Sequence, residues 1–397
     1  MQSIFSAPNP LLFGSGAVKT IGDKMKEYGC KKALVVYDKG IKLAGLADIV
    51  IGVIRDAGLE AVSFDEVQAD PPDWSVEKAG KLAVDEGVDI VIGLGGGSSM
   101  DTAKGAKVLI TNPPPLKQYF GREGVVTKPS VPLIVIPTTA GTGSECTPGG
   151  TITDTERGIK VNISGVGAQV TLGIVDPELT VNLPPAITAS TGMDALCHCT
   201  ESYTSKRANY FSGVLGRDGT KLVAKYLARA VKNGREDIEA REGMSLAASL
   251  GGMAMSGAFC HLSHDIGRSL GAKFHVPHGN GCAVTLPQTM KVVAPVYPEK
   301  VRYIAECFGK ELAADATPEE IGQAAHDAIR DLVKEIGLPS MKGLGLDLDE
   351  LLAVVPDEVV MQAEMSAKIG IVTIPVPVTK ELIENIIRDA WNEALED

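Results

Sequence analysis

Over the first ~180 residues, short β-branched runs alternate with stretches of helical spacing, and that alternation admits little besides a layer of parallel strands covered by helices. Ala33–Tyr37 (ALVVY) reads as a buried strand, Ile41–Ala57 as a helix, Glu60–Val67 as a second strand and Ser75–Glu86 as a second helix. Val88–Leu94 is a third strand running into Gly95–Gly97, and Val131–Ile136 a fourth. Three later runs, Gly150–Asp154, Ile159–Ile163 and Gly173–Val175, read as a hairpin and a closing strand. Near Asn182–Pro185 the character changes: strand signals nearly vanish and alanine-rich helical patterns run to Asp397. The expectation is an α/β domain with parallel strands over residues 1–181 and an all-α domain over residues 182–397, with no internal repeat and no low-complexity tail.

Bulk properties narrow the function classes. The chain has 397 residues, 44% hydrophobic and 22% charged, as a globular protein of two or three domains would. A formal net charge of -12 argues against nucleic acid or an anionic membrane as partner, since both require a basic face. No apolar run approaches the ~20 residues of a transmembrane helix. The opening MQSIFSAPNPLLFGSG lacks the basic and apolar regions of a signal peptide. Seven cysteines without framework spacing point to a reducing compartment, so a cytoplasmic protein is expected.

Three groups of residues carry chemistry. The run Gly95-Gly96-Gly97-Ser98-Ser99-Met100-Asp101-Thr102-Ala103-Lys104 follows a strong strand and opens a helix. Glycines let a backbone approach a phosphate, and a helix N-terminus offers unpaired N–H groups with partial positive charge. Ser98 and Asp101 have the spacing of a capping box, although the motif is not the GxGxxG fingerprint. After the fourth strand, Pro137-Thr138-Thr139-Ala140-Gly141-Thr142-Gly143-Ser144-Glu145 supplies small residues and three threonine hydroxyls at the carboxyl edge of the sheet, where such folds bind ligands. Asp38, at the end of the first strand, suits a ribose 2′-OH and would repel a 2′-phosphate; the plainer alternative is a turn aspartate before Gly40.

The third group lies in the helical half. Asp194 and His198 are four apart and so share a helix face, and His264 and His278 follow. One carboxylate and three imidazoles make a site for Fe²⁺ or Zn²⁺. Five of the six histidines fall between residues 198 and 278. Cys197, Cys199 and Cys260 compete as thiolate ligands, but Cys197 and Cys199 point ~100° away from His198 on a helix, and small buried hydrophobes are the preferred reading. His326 reads as an ordinary helix residue.

Taken together, "LLFGSGA", "GGGSSMDTAK", "PTTAGTGSE", "GMDALCHCTES" and "HVPHG" resemble the iron-containing (group III) alcohol dehydrogenase family almost end to end. The resemblance implies an N-terminal Rossmann-like domain for NAD(P) and a helical domain carrying the metal on Asp194, His198, His264 and His278. It implies that Gly95, Gly96, Gly97, Ser98 and Ser99 hold the pyrophosphate, that Thr138, Thr139, Thr142 and Thr147 line the cofactor site with Lys160 and Leu179 nearby, and that Asp38 favours NAD over NADP. Two departures stand out. Asp70-Pro71-Pro72 replaces the Pro-Asn-Pro of many members, which removes an asparagine near the adenine side. Members also typically read His-x-x-x-His, the second histidine relaying protons near the nicotinamide; here the run is His264-Asp265-Ile266-Gly267-Arg268. Arginine stays protonated and cannot relay, so the relay passes to water, the ribose hydroxyl or His275, and Arg268 becomes a candidate contact for an anionic substrate group or, alternatively, a partner of Asp265.

The expected function is therefore a metal-dependent, NAD(H)-linked alcohol dehydrogenase or aldehyde reductase acting on a small alcohol or aldehyde, one with an anionic group being a special case. Fe²⁺ is the expected ion with Zn²⁺ the alternative, in a homo-oligomer, a dimer or larger, with neither nucleic acid nor membrane as partner. A glycerol dehydrogenase-like polyol oxidoreductase and a dehydroquinate synthase-like lyase are alternatives on the same architecture. The lyase would need a basic cluster for a phosphorylated substrate, and no dense Lys/Arg group adjoins the four candidate ligands.

Overall fold

The structure is a computed structural model that describes residues 7–121 and 123–393; part of the N-terminal stretch weighed above as a signal peptide lies outside the described residues. The chain divides into two compact units, one ending at Leu183 and the other beginning at Pro184.

The first unit is built on a six-stranded sheet of β1 (Leu11–Phe13), β2 (Lys32–Val36), β3 (Glu60–Phe64), β4 (Ile90–Gly95), β5 (Leu133–Pro137) and β8 (Leu172–Val175). Their order is β1-β8-β5-β4-β2-β3 and every pairing is parallel. Parallel strands covered on both faces read as unbroken apolar runs, as ALVVY and IVIGL do. Their side chains alternate between two cores. Ala33, Val35, Ile90, Ile92 and Leu94 face one core, where helices α1 (Ile21–Glu27) and α3 (Leu46–Asp56) pack; Leu34, Val36 and Val91 face the other, under α4 (Asp73–Asp85) and α5 (Gly97–Thr111).

Three expectations need correction here. The helical spacing over 41–57 is continuous, yet the chain forms α2 (Lys39–Leu43) and then α3, because Gly45 takes a left-handed conformation (φ 74°) between them. The strand expected to close the sheet, β8, lies inside it: the short Leu11–Phe13 segment pairs outside β8 and forms the edge. A three-residue strand carries too little periodicity to be seen in sequence. The hairpin β6 (Gly149–Asp154) and β7 (Ile159–Ser164) is antiparallel and forms a separate two-stranded sheet.

The second unit is helical throughout its described residues: α6 (Pro185–Thr204), α7 (Tyr210–Asn233), α8 (Ile238–Ala258), α9 (Leu262–Phe274), α10 (His278–Ala283), α11 (Leu286–Val293), α12 (Pro298–Cys307), α13 (Pro318–Glu335), α14 (Leu348–Lys368) and α15 (Lys380–Asn392). Helix α6 is buried nearly all round, against α7, α8 and α10. Leu262, Ile266 and Leu270 of α9 pack with Val355 and Val359 of α14 and Ile383 and Ile387 of α15. His326 is not an ordinary helix residue: it is fully buried, with Nε2 2.5 Å from Glu393 Oε2 and Nδ1 3.0 Å from Asp327 Oδ1. No single helix is long and apolar enough to cross a membrane; α8 and α9 pass that test only as a pair, and they are bent by 101°.

Candidate active site

Two groups of candidate residues are assembled, one in each unit. In the α/β unit, Asp38, Gly95 and Thr138 stand at the carboxyl ends of β2, β4 and β5, neighbouring strands of the sheet. Gly95 has φ +142°, and Ser99 Oγ lies 2.6 Å from where a Cβ would sit, so only glycine fits there. Added Cβ atoms at Gly96 and Gly97 would meet Thr139 and Thr142, which places the glycine and threonine loops side by side. The Thr138 N–H donates to Gly95 O at 3.0 Å, and Ser99 Oγ donates to Asp38 Oδ2 at 3.4 Å. Asp38 also caps α2, accepting from Ile41 N at 3.1 Å. Helix α5 begins after Gly96, leaving the N–H groups of Gly97, Ser98 and Ser99 at its N-terminus without an i−4 acceptor inside the helix. The capping-box expectation fails: Ser98 does not cap this end, and Asp101 instead accepts from Ser144 Oγ at 2.7 Å and Thr151 N at 2.9 Å.

A lysine that sequence reasoning left without a role ties these loops together. Lys104 is fully buried, and its Nζ meets Ser144 O (2.9 Å), Ser144 Oγ (2.6 Å), Thr147 Oγ1 (3.0 Å), Gly149 O (2.8 Å) and Asp101 Oδ1 (3.2 Å). Thr147 therefore faces Lys104. The other two residues implied by the resemblance have separate surroundings: Lys160, on β7, pairs with Asp70 at 2.7 Å, and Leu179 is buried in the core on the α1/α3 face.

In the helical unit, Asp194 Oδ1 is the centre of a cluster. His198 Nε2 and His264 Nε2 each lie 3.5 Å from it and His278 Nε2 3.6 Å from it. Asp194, His198 and His264 are 3–4% exposed; His278 is the open member, its side chain 36% exposed. The His198 and His264 rings stack at 4.7 Å. Among the described residues, neither Asp194 Oδ1 nor His264 Nε2 has a hydrogen-bond partner. Burial opposes the charged form of Asp194, yet His198 and His278 beside it hold its carboxyl well below the usual range.

Sequence reasoning missed Glu201. It is fully buried and accepts from His264 Nδ1 (2.8 Å), Ser263 N (2.6 Å) and His261 N (3.1 Å). Burial raises its pKa, but His261 and His264 hold it down, so it is ionised. A proton on His264 Nδ1, donated to Glu201, leaves the Nε2 lone pair directed at Asp194. The signal was present: 194, 198 and 201 are spaced four and three, one face of α6. The cysteines divide. Cys197 and Cys199 are buried as expected, but Cys260 forms a close group with His198 and His264, and Cys282 one with Asp194, His264 and His278.

Arg268 and His275 lie outside the cluster's polar contacts. The Arg268 side chain is 48% exposed and Nη2 is 3.5 Å from Asp265 Oδ1. His275 is exposed, at the C-terminus of α9, with φ 56°.

Comparison with known proteins decides the family. Residues 8–177 match "Iron-containing alcohol dehydrogenase" and residues 188–391 match "Fe-containing alcohol dehydrogenase family, C-terminal". The chain belongs to the iron-containing alcohol dehydrogenase family. Choline dehydrogenase of Bacillus subtilis (strain 168) is 38% identical over 349 residues, covering 87% of this chain and 86% of that one. The NAD-dependent methanol dehydrogenase of Bacillus methanolicus is 37% identical, covering 85% and 87%. The crystal structure of sulfoacetaldehyde reductase from Bifidobacterium kashiwanohense in complex with NAD+ superposes with a TM-score of 0.86 at 28% identity, covering all of both chains.

Proposed function

We propose that this member of the iron-containing alcohol dehydrogenase family is a metal-dependent, NAD(H)-linked alcohol dehydrogenase or aldehyde reductase for small substrates. Residues 1–181 would hold the nucleotide and residues 182–397 the metal. The observation that carries the reading is Asp194 Oδ1 ringed by three imidazole nitrogens at 3.5–3.6 Å. Donors bound to one tetrahedral ion stand roughly 3.3–3.8 Å apart. A buried carboxylate oxygen and an imidazole nitrogen left without hydrogen-bond partners among the described residues fit a cation between them. The four ligands would be Asp194, His198, His264 and His278, with Fe²⁺ the expected ion and Zn²⁺ the alternative. A divalent ion held there supplies Lewis acidity to the substrate oxygen, and the nicotinamide supplies the hydride chemistry.

The chain's own residues do the rest. Glu201 fixes the tautomer and ring orientation of His264. The partly exposed His278 marks the side from which the cluster is reached. The N–H groups opening α5 suit a pyrophosphate, and the buried Thr139 Oγ1, without a hydrogen-bond partner, offers a further polar contact in that cradle. Asp38 favours the free ribose hydroxyls of NAD(H). Metal analysis of the purified protein, joined to an NADH-oxidation assay over an aldehyde panel, tests the proposal. One tightly held divalent ion per chain and turnover that disappears in His264→Ala support it; full turnover without metal would reject it.

A second reading concerns substrate charge. Arg268 is four residues beyond His264 on the same face of α9, half-exposed and 3.5 Å from Asp265 Oδ1. A guanidinium so placed suits a short aldehyde bearing an anionic group.

A further inference from the structure

Helix α11 opens on Leu286-Pro287-Gln288, and the long polar side chain of Gln288 is turned inward: the residue is 5% exposed, beside the fully buried Leu286 and Met290. A buried amide is ordinarily satisfied at both ends. Here one end is met. Gln288 Nε2 donates to Glu393 Oε2 at 3.1 Å, and the same oxygen accepts from His326 Nε2. The other end, Oε1, is buried as well and has no hydrogen-bond partner among the described residues. Gln288 lines a cavity of about 50 Å³ within the helical unit. Its wall includes Ala283 at the end of α10, Arg330 and Val333 of α13, Ala390 of α15 and Glu393 just beyond it.

Counting ~10–15 Å³ for each water-sized occupant, the space takes about three to five heavy atoms. Water alone suits it poorly, since an ordered water needs several polar partners and Ala283, Val333 and Ala390 offer hydrocarbon. A charged molecule suits it no better. The Arg330 guanidinium, 3.8 Å from Asp327 Oδ1 and so beyond hydrogen-bond distance of it, would repel a cation, and Glu393 would repel an anion. What fits is a neutral molecule with a hydroxyl to donate to Gln288 Oε1 and a short hydrocarbon body to lie against the wall. We propose that this cavity is a second small-molecule site, for a neutral aliphatic alcohol of about three to five heavy atoms anchored on Gln288. It shares no lining residue with the four ligands of the metal-centre reading and requires neither metal nor nucleotide. Helix α10 joins the two places: His278 opens it, and Ala283 closes it against the cavity. An occupant therefore adds packing to the element that presents His278.

The test uses the full-length protein as purified, with tert-butanol as the probe, because a tertiary alcohol has no hydride to give and cannot turn over. Saturation-transfer NMR on its methyl signal should show binding with a Kd of about millimolar, the range open to a ligand of about five heavy atoms. Binding should weaken about fivefold to tenfold in Gln288→Leu, the size of one hydrogen bond, and vanish in Ala390→Leu, whose added carbons fill the space. No binding by the wild type, or wild-type affinity in either variant, overturns the proposal. Should the variants not fold, a crystal structure of the wild type grown with tert-butanol decides alone: the probe seated on Gln288 Oε1 supports the proposal, and water alone in the cavity rejects it. Because the readout is neither turnover nor metal content, its failure leaves the proposed function standing, and the reverse holds as well.

Discussion

Glu201 Oε2 lies 2.8 Å from His264 Nδ1, and both residues are buried in the helical unit. The carboxylate holds the far side of a ring whose other nitrogen faces Asp194. Its replacement should therefore weaken metal binding without removing a ligand. For Glu201→Gln we expect a loss of 10- to 100-fold in metal affinity, about the usual effect of such partners. Chelator competition measures it, and a circular dichroism spectrum separates the effect from unfolding. Wild-type affinity in the variant would mean that His264 is oriented by packing alone.

The nucleotide preference turns on Asp38. Its carboxylate already accepts from Ser99 Oγ and Ile41 N at the start of α2, so it is fixed in place. Asp38→Gly should raise the ratio of kcat/KM for NADPH over NADH by about tenfold or more, since a repulsive charge is removed. A wild type that already prefers NADPH would show that Asp38 does not face the ribose.

Arg268 is tested by comparing kcat/KM for a neutral aldehyde and an anionic one of similar length, in the wild type and in Arg268→His. A wild-type preference for the anion that the substitution reduces by about tenfold is the expected result, the size of one charge-assisted contact. Equal loss on both substrates assigns Arg268 to Asp265, its neighbour at 3.5 Å, and removes it from substrate recognition.

Lys104 should matter to stability and to nucleotide binding together. Its ammonium satisfies five oxygen contacts in a fully buried position. Lys104→Met removes the cation paired with Asp101 and the donor shared by the Ser144 and Gly149 carbonyls, and should cost about 3 kcal/mol. Differential scanning calorimetry should show Tm lower by several degrees, and the KM for NADH should rise because the Ser144 and Thr147 segment is no longer tied to α5. A change in Tm with KM unaltered would restrict Lys104 to a structural role.

Lys107, three residues on, predicts a pH dependence. Burial pushes its pKa down to about 8, and its Nζ donates to Gln169 O. Because the folded pKa is depressed below that of the unfolded chain, burying the charge costs stability below about pH 8. That cost is relieved as pH rises toward the ordinary lysine value near 10.4. Lys107→Met removes the term, so Tm of the wild type relative to the variant should climb between these limits. A constant difference would show that Lys107 keeps its proton throughout.

How much of this was legible beforehand follows from what each signal depends on. Local periodicity disclosed β2, β3, β4, β5 and the helical second half, because a buried parallel strand must be apolar along its length whatever its neighbours are. The glycine run after β4 was equally legible, since the turn into α5 needs a residue free to take φ +142°. The spacing of Asp194 and His198 also spoke for itself, because both lie on one helix. The edge strand β1 did not, since its place outside β8 is a pairing between residues ~160 apart. Nor did the company kept by Asp194: His264, His278 and Cys282 reach it from α9 and α10, and chain spacing says nothing about distance between helices. Sequence determined which side chains carry chemistry and which face each presents. Packing alone decided that Glu201 of α6 stands behind His264 of α9 and that Lys104 of α5 is sealed among five oxygens by the segment 144–149, because those contacts exist only once distant segments share one buried volume.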